Sequence, residues 1–157
     1  METPFTKLRF AREELGQSLV EISLALPMLC FLLIGGADIA RAFAIQIAVQ
    51  NGARAAAEAS AIDYTPTNAE ALAWAVQEMN RTPGMNASLC NPSTSTCTIT
   101  ISRKQADGVT NCIQTPDIAT PCFFSVRVQY AWQTIIPWPM IPHQFFLDRT
   151  TKVRAFV

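Results

Sequence analysis

The apolar residues of this chain are concentrated near its beginning. From Gln17 to Ala37 it reads QSLVEISLALPMLCFLLIGGA, 21 residues with a single charge, Glu21. Leu24, Leu26, Met28, Leu29, Phe31, Leu32, Leu33 and Ile34 would cover every side of a helix, whereas a helix on a soluble domain keeps a polar face. At ~1.5 Å of rise per residue the segment covers roughly 30 Å, the thickness of a bilayer's hydrocarbon core. The pattern therefore predicts a transmembrane helix over 17–37. A cleaved signal peptide is the nearest alternative, but its apolar core runs only ~7–15 residues. Gly35-Gly36-Ala37 imitates a cleavage region, yet no helix stop follows it.

From Asp38 no proline occurs until Pro66, and alanine dominates. Alanine is the best helix former, so the helix is expected to continue to about Ala61. Along it Gly36, Ala40, Ala44, Ala48, Gly52, Ala56 and Ser60 recur at every fourth position. Such a row lets helices approach closely, although an alanine-rich stretch produces one by abundance alone. Gly52 inside a good helix costs ~1 kcal/mol relative to alanine, which favours a packing role there. Pro27 is expected to kink or loosen the apolar run.

The remainder, 62–157, alternates differently. Thr65-Pro66-Thr67-Asn68 reads as a turn and helix cap. A second helix from Ala69 to about Asn80 should then bury Leu72, Ala73, Val76 and Met79. Arg81 to Ser95 is rich in turn formers and reads as a loop. A strand is expected over Thr96–Ser102, with Cys97, Ile99 and Ile101 on one face. Phe124, Val126, Val128, Tyr130 and Trp132 mark another, and roughly Thr150–Phe156 a third. A long loop holding Cys112, Pro116, Pro121 and Cys122 would join the first two strands. Ile135 to Pro142 is apolar but broken by three prolines, so it cannot span a membrane. It would lie on a partner, on the membrane surface or over the core. The expected class is α+β: a long N-terminal transmembrane helix, then a small disulfide-containing domain of helix plus antiparallel sheet.

Charge and cysteine usage sharpen this picture. Twelve Lys+Arg balance twelve Asp+Glu, which excludes a nucleic-acid binder working through a basic patch. Cys30 lies inside the apolar run as a small hydrophobe. The even set Cys90, Cys97, Cys112 and Cys122 lies in the polar half and suggests two disulfides in an oxidising compartment. Three pairings are possible; we prefer the local one, Cys90 with Cys97 and Cys112 with Cys122. The spacings lack CxxC, and His143 is the one histidine, so a zinc site is not expected. GxSxG, HExxH and phosphate-cradling glycine loops are missing. The sequence reads as no enzyme, with no cofactor and no evident small-molecule substrate. Lys7, Arg9 and Arg12 precede the apolar run while Arg41 and Arg54 follow it, a weak preference for a cytoplasmic N-terminus.

Glu21 is the residue that composition does not explain, because a carboxylate in a membrane helix costs ~2.5–3.5 kcal/mol at the helix centre. It follows Gly16-Gln17-Ser18-Leu19-Val20. That motif resembles the type IV pilin-like processing site, in which a prepilin peptidase cuts after the glycine and a glutamate is fifth in the mature chain. Together with Pro27 in the apolar run, Asp38-Ile39-Ala40-Arg41 and Asn51-Gly52-Ala53-Arg54, it is similar to the TadE-like family of tight-adherence (Flp) pilus assembly systems. The likeness is good over the N-terminal third and loose beyond it. The resemblance implies a cytoplasmic leader, 1–16, cut at Gly16–Gln17. It implies pairing of Glu21 with the terminal amine of a neighbouring pilin-like subunit. It also implies an inner-membrane protein with a periplasmic C-terminal domain, whose partners are the membrane, pilus assembly proteins and a prepilin peptidase. Ile22 stands where major Flp pilins carry tyrosine, and with the long C-terminal domain this suits a minor pseudopilin. The rivals are a signal-anchored periplasmic binding module and an anchored envelope enzyme built around His143.

Overall fold

The computed structural model describes residues 4–62, 67–90, 96–112 and 117–155, with the backbone alone for 4–15 and 89. Thr65-Pro66, the loop just before Thr96, Pro116 and the strand end at Phe156 lie outside the described residues, as do the side chains of Lys7, Arg9 and Arg12. The chain divides into two compact units, Met1–Ala40 and Arg41–Val157. One helix, α1 (Pro4–Ile62), contributes to both.

In the second unit, α1 from Ile45 to Ala61 forms half of the core. Ile45, Ala48, Val49, Ala53, Ala56, Ala57 and Ala61 are all buried. The next helix, α2 (Asn68–Met79), starts at a capping box around Thr67. The Thr67 hydroxyl accepts from the Glu70 N–H at 3.3 Å, and the Glu70 carboxylate accepts from the Thr67 N–H at 2.9 Å, which satisfies two of the orphan donors of a helix start. Its buried line is Ala71, Ala75 and Met79, with Leu72 and Val76 at the flanks. Ala73, expected to point inward, is exposed. It lies ~200° round the helix from Ala71.

The reason for this choice of face is close approach. A Cβ added to Gly52 would fall 2.5 Å from Met79 Cγ and 3.1 Å from the Ala75 carbonyl oxygen. Alanines, not larger residues, must line α2 where α1 comes this near.

The sheet is antiparallel in the order β1 (Cys97–Gln105), β2 (Cys122–Gln133), β3 (Gln144–Arg154). Ile99 pairs with Val128, and Phe124 with Val153. Cys97, Ile99, Cys122, Phe124, Val126, Val128 and Trp132 face the helices and are buried. On the outer face Arg127 holds Asp148 through Nε at 3.0 Å and also through Nη2. Gln129 Nε2 adds a bond to the same carboxylate at 3.1 Å.

Two edge strands are longer than their own patterns suggest. β1 runs three residues past Ser102, and β3 begins six residues before Thr150. Each is extended by the register of the central strand, since β2 pairs with β3 from Phe123 through Gln133. Cys122 accordingly opens β2 instead of lying in the loop before it. Disulfides join Cys90 to Cys97 and Cys112 to Cys122. A three-residue 3-10 turn, Ala87–Leu89, precedes the first bridge.

Three contacts orient the layers of this unit. Ala61 clusters with Cys122, Phe124 and Ala155. Asn68 at the start of α2 accepts from Arg103 Nη2 at 3.3 Å, near the same end of the sheet. Gly52 lies under Met79, at the far end of α2. The two helices are therefore antiparallel, and the end of α1 at Ala42 and Ile45 lies by the Trp132 end of β2.

Candidate functional site: the amino-terminal helix

Among the described residues one helix is long and apolar enough to cross a membrane, α1 from Gly16 to Ile62. Its first part carries large exposed apolar side chains: Leu24 and Leu33 are each 73% exposed, and Leu32 is 65% exposed. No element of the first unit covers them, and they define an aliphatic band with no polar side wide enough to face water. Cys30 is a free, exposed thiol in the middle of it.

Polar groups enter the band in one place. Gln17 Nε2 donates to Glu21 Oε1 at 3.3 Å, one turn apart. A carboxylate has ~four acceptor sites, so this single amide leaves most of its capacity for a cation. Ser23 Oγ turns back to the Val20 carbonyl at 2.8 Å, the usual way a hydroxyl is satisfied inside a helix. Pro27 has no N–H to give the Ser23 carbonyl, yet α1 is assigned as one helix through it.

The helical glycines fall into two kinds. Gly52 is fixed by Met79 and Ala75, whereas a Cβ at Gly16 or Gly36 would meet nothing within 4 Å. The fourfold row of small residues divides the same way: Ala48, Gly52, Ala56 and Ser60 are buried, and Gly36, Ala40 and Ala44 are exposed. Packing within the chain thus accounts for the second half of the row and leaves the first half open. Gly16 and Gln17 are both exposed on the helix.

Asp38 was not marked by any sequence signal beyond its place in the family pattern, but it is only 3% exposed. A buried carboxylate at that level would have been visible only from tertiary packing. Arg54, within the second family motif, is exposed and bonds Glu58 through Nε at 2.6 Å. That bond, with the carboxylate's charge, raises its pKa further.

Catalytic or metal chemistry has little to work with here. Among the described residues no group of three His, Cys, Asp or Glu side chains is placed to hold a metal. His143 is used locally: its Nδ1 lies 2.7 Å from Thr134 Oγ1, and its carbonyl accepts from the Thr134 N–H at 3.1 Å. An open cavity of about 490 Å³ is lined by Asn68, Ala69, Leu72, Ile99, Thr100 and Ile101, without a charged side chain. Another, of about 360 Å³, is lined by Asn51, Arg54, Ala55, Glu58 and Glu78.

What this combination defines is a protein carrying a membrane-competent helix in front of a disulfide-bonded α+β unit. Residues 16–58, roughly a quarter of the chain, match the family model of TadE-like proteins. Over that stretch the chain is similar to TadE-like proteins, and both motif segments quoted above fall inside it. No curated protein and no solved structure matches the chain.

Proposed function

We propose that this is a minor pseudopilin of a tight-adherence pilus system, anchored in the inner membrane with its C-terminal unit in the periplasm. The observation that carries the reading is Glu21, a carboxylate within an exposed apolar helix, bonded among the described residues by the Gln17 amide. Left alone in hydrocarbon such a group is costly, and a partner charge removes most of that cost. Cleavage at Gly16–Gln17 creates an amine of the right sign one turn away in sequence, and a neighbouring subunit can present the same group. Gly16 supports this reading, because among the described residues a Cβ there would meet nothing within 4 Å. The disulfides support the periplasmic side, an oxidising compartment.

In this mechanism the protein does no covalent chemistry. A prepilin peptidase removes residues 1–16, and the exposed row Gly36, Ala40 and Ala44 packs against pilin-like or assembly-platform helices. The Glu21–amine pair then sets the register between subunits. Glu21→Ala should leave membrane insertion intact and abolish co-purification with pilus or inner-membrane assembly partners. Normal piliation by that variant would overturn the mechanism. Intact-mass measurement on protein from native membranes separates the competing reading: a chain beginning at Gln17 agrees with processing as a pilin, and one beginning near Asp38 marks a secreted binding module.

A further inference from the structure

The connection between β2 and β3 exposes several apolar side chains, while Ile136 and Trp138 within it are half-buried. Ile135 is 56% exposed, Ile141 54% and Met140 94%. From Gln133 to Leu147 there is no Asp, Glu, Lys or Arg. Pro137, Pro139 and Pro142 remove three backbone donors from the same stretch, so less hydrogen-bonding capacity must be taken out of water if it is buried. Thr134 and His143 tie its base through two hydrogen bonds, which holds the tip as a fixed projection of the sheet.

Its position says what covers it. The loop lies beyond Trp132, and the packing of Ala61 on Phe124, Asn68 on Arg103 and Gly52 on Met79 puts residues 42–45 of α1 at that same end. The chain enters the unit there, four residues after Ala37. At the opposite end of the sheet the β1–β2 turn is of another character. Asp107 caps it, accepting from the Val109 and Thr110 N–H groups at 2.9 and 3.0 Å, and Lys104 Nζ bonds the Val109 carbonyl at 2.9 Å. That end mixes charged groups with the exposed Val109 and Ile118; the other carries no charge from Gln133 to Leu147 and lies where the chain enters the unit.

We infer that Ile135–Pro142 is a second membrane contact, with Met140 and Ile141 inserted among the lipid headgroups and upper acyl chains and Trp138 at the interface. The inference rests on the reading of α1 as a membrane anchor. Tryptophan favours that depth because its ring is apolar and its N–H polar. The anchor also removes the need for strong intrinsic affinity, since it holds the loop at high effective concentration over the bilayer. A soluble protein partner would have no such advantage. The contact would fix how the unit is turned relative to the membrane and so which face it offers to other subunits.

Spin labels on the full-length chain in phosphatidylcholine–phosphatidylglycerol vesicles test this. Met140→Cys and Val109→Cys are each labelled in a Cys30→Ser background, and Cys30 itself is labelled in the unmodified chain. Collision with oxygen reports lipid, and collision with a water-soluble nickel chelate reports solvent. The label at 140 should show an oxygen-to-nickel ratio several-fold above that at 109. Equal ratios at 140 and 109 would overturn the inference. So would a label at 140 shielded from both reagents and released by dilution of protein in lipid, which would mark a contact between copies. The Cys30 label reports the anchor separately: lipid exposure at 30 without it at 140 leaves the anchor standing and removes the second contact. Quenching of fluorescence by headgroup-level nitroxide lipids repeats the test without new thiols. Trp138→Phe should remove the quenched component, and unchanged quenching in that variant would overturn the inference.

Discussion

The two halves of α1 share a fourfold row of small residues and differ in what surrounds it. Before Ala40 its described leucines are exposed and a Cβ at Gly16 or Gly36 would meet nothing, whereas beyond Arg41 Ala48, Ala53, Ala56, Ala57 and Ala61 are buried. Small residues at every fourth position carry no fixed meaning by themselves. In the second half they set how near α2 comes; in the first half they are a surface awaiting a neighbour. A repeat is explained only when the atoms opposite each position are known.

The contrast is broken most directly by a truncation to alanine in each half. Phe124→Ala should destabilise the second unit by about 3–5 kcal/mol, the range for emptying a fully buried aromatic site. Leu33→Ala, at a side chain 73% exposed, should leave the unfolding free energy within about 0.5 kcal/mol of the parent. Urea titration of the full chain in detergent micelles, followed by near-ultraviolet circular dichroism, measures both; similar losses would mean that the halves are not energetically distinct. The glycines come next. Gly52→Ala should cost about 1–3 kcal/mol from overpacking against Met79 and the Ala75 carbonyl, despite the ~1 kcal/mol that alanine gains in a helix. Gly16→Ala and Gly36→Ala should not lower stability at all. Gly16→Ala should instead leave the precursor mass unchanged in the native strain.

The smallest effect belongs to the outer face of the sheet. The hydrogen bonds from Arg127 hold the Asp148 carboxyl below the ordinary carboxylate range, aided by its charge and by Gln129. A carboxyl whose pKa is depressed on folding contributes stability above its unfolded pKa, about 4, and loses it as pH falls through the folded value. Both partners are partly exposed, so solvent screening keeps the coupling small. A double-mutant cycle with Arg127→Ala and Asp148→Ala, run at pH 7 and pH 2, should show that coupling at the higher pH and none at the lower.

Much of this architecture was legible because the strongest signals are one-dimensional. The apolar run, the Thr67–Glu70 cap and the alternation from Phe124 to Val128 each follow from local spacing. The exposed Ala73 and the buried Ala71 and Ala75 were not legible, since α2 chooses its face by the nearness of Gly52, a tertiary fact. The early start of β3 was hidden for a related reason. Its residues alternate poorly because an edge strand is covered only in part, and its length is set by β2. Of the candidate site, Gly16 and Glu21 stand out in sequence, whereas Asp38 becomes notable only through its burial.

One further consequence follows from the way α1 lies lengthwise on its own core. A pull entering the second unit at Arg41 is directed along the helix, so the contacts from Ile45 to Ala61 are loaded together instead of one after another. Shear of this kind resists force far better than peeling does. A chain pulled by its membrane end would thus carry its folded unit with it.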